Sequence, residues 1–180
     1  MAEIRFAGYG GQGIIRSGII AGMAASIYDD KFSTMSQDFG PEARGGACSS
    51  QLVVSDSKVL YPYVVNSDVL VAMSQEGYEK FEPELAKNGL MLIDEDLVKF
   101  KPARDKIKIL TIPATRIAEQ LGKRIVANVV MLGFFTAVTG IVKPEAMKKT
   151  IPETVPAKAV ELNIEAFEKG YEYGKQQNSK

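Results

Sequence analysis

Continuous apolar runs alternate along this chain with segments whose apolar positions recur every three to four residues. Residues 3–7, EIRFA, alternate as a strand. In QGIIRSGIIAGMAASIY (12–28), Ile15, Ile19, Met23 and Ile27 fall at helical spacing. KFSTMS (31–36) reads as a second strand. SSQLVVS followed by KVLYP, with Asp56-Ser57 between them, reads as a β-hairpin over 49–61. DVLVAM (68–73), LMLID (90–94) and IKILTI (107–112) are short unbroken apolar runs, which suit strands covered on both faces of a parallel sheet. Between the first two, QEGYEKFEPELAKNG is helical at its core, with Asn88-Gly89 as its C-terminal stop. Pro113 opens a helix that runs to Leu121, and 126–139 forms an apolar helix. The last helix, roughly 156–175, carries one stripe of Val160, Ile164, Phe167 and Tyr171 with a polar outer face, so it lies on the surface.

Strands that alternate with helices predict an α/β fold with a mostly parallel sheet and one antiparallel excursion around 49–61. A length of 180 residues predicts one compact domain spanning 1–180. Sites in open α/β sheets form at the carboxyl ends of strands. That rule singles out two glycine-bearing loops that follow strands, GYGGQG (8–13) and QDFGPEARGGA (37–47), and predicts that they lie side by side.

Composition narrows the chemistry. Apolar residues make up 46% and charged residues 24%, an ordinary globular balance. Lys+Arg and Asp+Glu number 22 each, so nothing predicts a nucleic-acid footprint, and weak charge repulsion favours subunit association. One cysteine, Cys48, allows no internal disulfide and cannot alone hold an iron–sulfur cluster or a structural zinc. No histidine is present, which excludes a self-contained Ser-His-Asp hydrolase. The N-terminus carries Glu3 and Arg5 where a secretory signal would be apolar. The apolar stretch 125–142 would span about 27 Å as a helix and contains Asn128, Thr136 and Thr139, so it is read as a core helix rather than a membrane span. A cytoplasmic protein without metal ligands of its own is expected.

Gly8, Gly10 and Gly13 fit G-x-G-x-x-G between a strand and a helix, with Gly11 as an extra glycine. Such a loop turns tightly, and the free N–H groups at the helix start point at an anion. A dinucleotide site also wants an acid at the end of the second strand, about 20 residues on. Asp30 precedes that strand and Asp38 follows it, so neither fits cleanly. The same glycines equally suit a tight turn with close helix–sheet packing. Gln12, a polar amide at the helix start, is placed to reach a phosphate or a partner's backbone.

In the second loop Arg44 supplies a planar cation followed by Gly45 and Gly46. It suits a carboxylate, a phosphate, or an ion pair with Glu42 or a partner. Cys48 reads as a small buried residue at a strand start, without a catalytic role. Asn128 reads as satisfying a nearby loop backbone.

GYGGQG followed some 25 residues later by QDFGPEARGG resembles the gamma subunit of the 2-oxoacid:ferredoxin oxidoreductases, the pyruvate/ketoisovalerate oxidoreductase gamma family. VAMSQEGYEKF (71–81), NGLMLID and NVVMLGFFTAVTG (128–140) agree, so the resemblance covers nearly the whole chain. It is nearest the 2-oxoglutarate and branched-chain 2-oxoacid enzymes, with 2-oxoglutarate favoured. The resemblance implies a three-layer α/β domain within a complex that decarboxylates a 2-oxoacid, forms an acyl-coenzyme A and reduces ferredoxin. It implies that thiamine diphosphate with magnesium sits between alpha and beta partner subunits. Iron–sulfur clusters would sit in beta or in a ferredoxin-like delta subunit. The gamma chain would carry no catalytic residue, and alone it would be inactive, colourless and prone to self-association. Carried onto this sequence, Gly8, Gly10, Gly11, Gln12 and Gly13, with Gly40, Pro41, Glu42, Arg44, Gly45 and Gly46, would hold coenzyme A or grip the alpha subunit. Two other readings stand beside it. One is a free-standing Rossmann-type oxidoreductase binding NAD(P) or FAD, and the other is a regulatory or structural module without a ligand.

Overall fold

The computed structural model describes residues 1–39, 46–101 and 106–178. Six strands form one sheet. They are β1 (Ala2–Tyr9), β2 (Phe32–Phe39), β3 (Ala47–Ser55), β4 (Ser67–Ala72), β5 (Leu85–Asp94) and β6 (Lys108–Ile112), in the spatial order β2-β3-β1-β4-β5-β6. β1, β4, β5 and β6 pair in parallel, while β3 runs antiparallel to both β1 and β2. The α/β class, the mostly parallel sheet and the antiparallel excursion are as the sequence predicts.

The excursion's partner is different. Residues 58–62 form no strand, and β3 makes its hairpin with β2. β3 has β1 on one edge and β2 on the other, so no edge is left for KVLYP, and Pro62 has no N–H to give a ladder. The segment instead crosses the sheet face. Arg5, nearly fully buried on β1, donates to the Val64 carbonyl at 3.1 Å and to Glu84 Oε2 at 2.7 Å, with its guanidinium 4.4 Å from the Phe81 ring centre. Burial lowers the Arg5 pKa, against the pull of Glu84 and Asp38.

The helices are α1 (Ile14–Tyr28), α2 (Gln75–Phe81), α3 (Ala114–Gln120), α4 (Ala127–Thr139), α5 (Pro144–Thr154) and α6 (Val160–Asn178). α2 ends at Phe81, well before Asn88-Gly89, because Pro83 cannot continue a helix and opens a single 3₁₀ turn at Glu82–Glu84. Asn88, at φ +67°, and Gly89 lie inside β5, where the register against β4 slips between Ser67 and Val69. They make a bulge rather than a helix stop. No element was foreseen over 144–154, yet α5 starts at Pro144 and buries Ala146, Met147, Thr150 and Ile151.

The larger core lies between the sheet and α1, α4, α5 and α6; a smaller one lies under α2. α4 is buried along most of its length, and no described helix is long and apolar enough to cross a membrane. α6 covers α4 through small residues. Phe167 of the expected stripe is buried, but Ala166, Gly170 and Gly174 form the rest of the inner line while Ile164 and Tyr171 flank it. A Cβ on Gly170 would sit 1.8 Å from the Val130 carbonyl oxygen, so the two backbones nearly touch.

Candidate functional site

The chain leaves β1 through α1 toward β2 and β3, and leaves β4 through α2 toward β5. The carboxyl ends of β1 and β4 are therefore where the winding reverses, the usual place for a site in an open α/β sheet. Residues 8–13 sit there. Met73, just past β4, donates its N–H to the Ala7 carbonyl at 2.8 Å and closes the crevice below them.

The loop is held from inside. Gln12 Oε1 accepts the Tyr9 N–H at 2.6 Å, and Gln12 Nε2 donates to the Met73 carbonyl at 2.8 Å. The side chain proposed to reach outward thus spans the two strand ends. Gly13 (φ +78°) is the N-cap of α1, and a Cβ there would lie 2.6 Å from Asn128 Nδ2. That amide donates to the Gly13 carbonyl at 3.2 Å and to Ser17 Oγ at 3.4 Å, so Asn128 satisfies the loop backbone as its sequence position suggested. Gly8 leaves room for Gln12 and Ile14. Gly11 (φ +96°) has open space where a side chain would begin. Among the described residues no side chain caps α1, whose first N–H groups open onto the loop.

Gly46 accepts the Gly10 N–H at 3.3 Å, and β1 pairs with β3 up to Tyr9 and Ala47. The end of the second loop therefore does flank the first. Gly40, Pro41, Glu42, Arg44 and Gly45 lie outside the described residues.

Two clefts meet at Gly11. One, of about 270 Å³, is lined by Gln12, Met73, Leu97, Thr115 and Arg124. The other, of about 280 Å³, opens onto Gly10, Gly13, Phe39 and Cys48. Ile125 borders both and is 61% exposed. Arg124 faces the first cleft and lies 3.9 Å from Glu119; Arg16, in the first turn of α1, faces the second.

Two acidic groups take places that the sequence pattern does not show. Asp38 lies on β2, with β3 between that strand and β1, and its carboxylate is 3.5 Å from Lys80. The acid that a dinucleotide ribose needs is thus two strands away from the loop. Asp94, fully buried at the end of β5, accepts the Thr115 hydroxyl at 2.7 Å and the Thr115 N–H at 3.1 Å, tying β5 to the start of α3 beside the first cleft. Burial raises its pKa despite those hydrogen bonds. Its sequence signal was the acid closing the run LMLID. Burial, and then the charge of Asp38, raises the Cys48 pKa as well, which makes that thiol a poor nucleophile. Among the described residues no group of three Cys, Asp or Glu side chains could hold a metal.

The glycine loop thus sits at the switch point of a layered α/β sheet and is braced from within by Gln12 and Asn128. The sequence matches the family "Pyruvate ferredoxin/flavodoxin oxidoreductase" over residues 3–173, and the chain belongs to that family as a gamma-type subunit. It is 47% identical to the 2-oxoglutarate synthase subunit KorC of Methanocaldococcus jannaschii, over 97% of this chain and 94% of that one. It is also similar to the gamma subunit of a keto/oxoacid ferredoxin oxidoreductase from Geobacter sulfurreducens, at 40% identity and a TM-score of 0.85, with 97% and 98% of the two chains covered. The fold recurs, at 24% identity and a TM-score of 0.88, within 31% of a longer chain of the 2-oxoglutarate:ferredoxin oxidoreductase of Magnetococcus marinus, whose structure has 2-oxoglutarate, coenzyme A and succinyl-CoA bound.

Proposed function

We propose that residues 1–180 form one gamma-type domain of a cytoplasmic 2-oxoglutarate:ferredoxin oxidoreductase, and that its glycine loop docks a partner subunit rather than enclosing coenzyme A. The end-to-end identity with the KorC subunit carries the first part. One cysteine and no histidine agree with thiamine diphosphate, magnesium and iron–sulfur clusters residing in alpha, beta or delta partners. For the second part, exposed Ile125 stands between the two clefts that meet at Gly11. The Gln12 and Asn128 amides are spent within the chain. Among the described residues, backbone, Arg16, Arg124, Phe39 and Ile125 face outward, a set that suits another chain's surface. If coenzyme A reaches this loop, Arg16, Arg124 and the first N–H groups of α1 would meet one of its phosphates while a partner covers the remainder.

The tagged chain, purified from its own cells, is expected to bring down alpha and beta chains in a brown complex that reduces ferredoxin with 2-oxoglutarate and coenzyme A. A lone colourless chain overturns the proposal. In the complex, Ile125→Asp is expected to abolish co-purification, and Arg124→Ala to leave the KM for coenzyme A within about twofold. An intact complex with a KM for coenzyme A raised tenfold or more would assign the loop to the coenzyme instead.

A further inference from the structure

The outermost strand and the helix above it leave an apolar face that no described residue covers. Among the described residues, β2 ends the sheet and pairs only with β3. Its register is unbroken over all eight residues, so no bulge turns its outer edge away. The strand has no Lys and no Pro, and its one charge, Asp38, is drawn to Lys80. Natural sheets guard exposed edges with those devices, and an edge lacking them is a template for another strand. At ~3.4 Å per residue the edge of β2 runs about 27 Å.

α1 lies directly over this edge. A Cβ on Gly18 would meet Ser50 and Met35, and one on Gly22 would meet Leu52, so the helix sits above the β2–β3 pair; Ser33 Oγ also donates to the Gly22 carbonyl. The buried face of α1 runs through Ile14, Ser17, Gly18, Ala21 and Ala25. Of the four-residue stripe, Ile19 and Ile27 are therefore exposed, with Ile15 and Met23 half-buried beside them. Arg16 is the only charge on the helix.

We propose that this face joins two copies of the chain about a two-fold axis, with β2 pairing antiparallel to β2 of the second copy and the two α1 stripes packing across the axis. Spacing favours a second copy as the occupant. Strands lie ~4.8 Å apart, so a helix above the β2–β3 pair stands about 5 Å from the axis and about 10 Å from its symmetry mate, the distance at which helices pack. A two-fold near the middle of β2, close to Met35, brings Ile19 of one copy against Ile19 and Met23 of the other. Charge does not oppose it, because Asp38 points to the other face of the sheet, toward Lys80, and the two Asp38 residues are about 20 Å apart. Ile19, Ile27 and Phe39 are 38, 55 and 64% exposed, and they leave on the order of 300 Å² of apolar side chain in water on the α1 side of the sheet. A stable interface buries about 800 Å² per partner, and the strand edge with half-buried Ile15, Met23 and Met35 adds to this surface.

Sedimentation equilibrium of the full chain, from about 1 to 100 μM, reads this directly. A dimer with a dissociation constant of a few micromolar or tighter is expected, with hydrogen exchange of β2 amides slowing as the dimer fills. Ile19→Lys places like charges at the axis and should weaken the dimer at least thirtyfold with an unchanged far-UV spectrum. Mixing it with Ile19→Glu should restore association. Ile27→Lys, farther from the axis, should weaken it less and serves as the second variant should Ile19→Lys misfold. A chain monomeric at 100 μM, or an Ile19→Lys dimer as tight as the parent, overturns the proposal.

Discussion

Gly170→Ala sets helix propensity against packing. Alanine is worth about 1 kcal/mol over glycine inside a helix, so propensity alone predicts a more stable protein. The crossing of α4 and α6 predicts the reverse. The new Cβ would lie 1.8 Å from the Val130 oxygen, 2.7 Å from its carbonyl carbon and 3.1 Å from the Phe134 nitrogen, all backbone atoms with no rotamer to change. Restoring an ordinary 3.4 Å contact opens the pair by about 1.6 Å. A gap of 0.5–1 Å already forfeits a quarter to a half of the dispersion attraction across it. Overpacking costs about 1–3 kcal/mol, and the rigid obstacle puts this site at the upper end or beyond. The net expectation is a loss of about 2 kcal/mol, or roughly 4–8 °C in Tm for a domain of this size. Urea unfolding of the variant against the parent measures it, with the exposed Lys169→Ala as a control expected within about 0.5 kcal/mol. Because α4 carries Asn128, hydrogen exchange at the glycine loop should also quicken. A Gly170→Ala protein as stable as the parent would refute the close approach of the two helices.

Asp29 tests a buried charge. Lys143 Nζ at 2.8 Å, the Lys143 N–H at 3.1 Å and Lys31 at 3.4 Å surround its carboxylate. Burial pushes the Asp29 pKa up, and these partners outweigh it, leaving the group below its ordinary 3.8. Its stabilisation is therefore present above about pH 4 and lost as pH falls through the lower folded value. Asp29→Asn should cost about 1–2 kcal/mol at pH 7, with the gap to the parent narrowing below pH 4 in urea titrations. Gly13→Ala should destabilise by roughly 2 kcal/mol through its positive φ and its clash with Asn128, and adding Asn128→Ala should cost less than the sum of the two single changes. Native Cys48 should react with a thiol reagent at least a hundredfold more slowly than the unfolded chain, as stopped-flow absorbance would show; a fast native reaction would contradict its burial and raised pKa.

Sequence by itself determined the element types wherever periodicity and length agreed: the parallel strands DVLVAM, LMLID and IKILTI, the helix over 12–28, the buried α4. It also marked both glycine loops at strand ends, since only glycine and a strand-to-helix boundary are needed to see them. Tertiary structure decided the pairings. KVLYP has strand composition, but β3 gives both of its edges to β1 and β2, and no local pattern encodes which edges are already taken. The NG of 88–89 stops helices elsewhere; Pro83 had already ended this one, and the dipeptide became a bulge. In α1, one helical spacing served two faces, and the small residues Gly18, Ala21, Gly22 and Ala25 turned inward because the sheet lies so close, leaving Ile19 and Ile27 outside. At the site, sequence named Gln12 and Asn128 as polar residues needing partners. Only the fold could show that those partners are Tyr9, Met73 and Gly13, because each hydrogen bond depends on where another element's backbone ends.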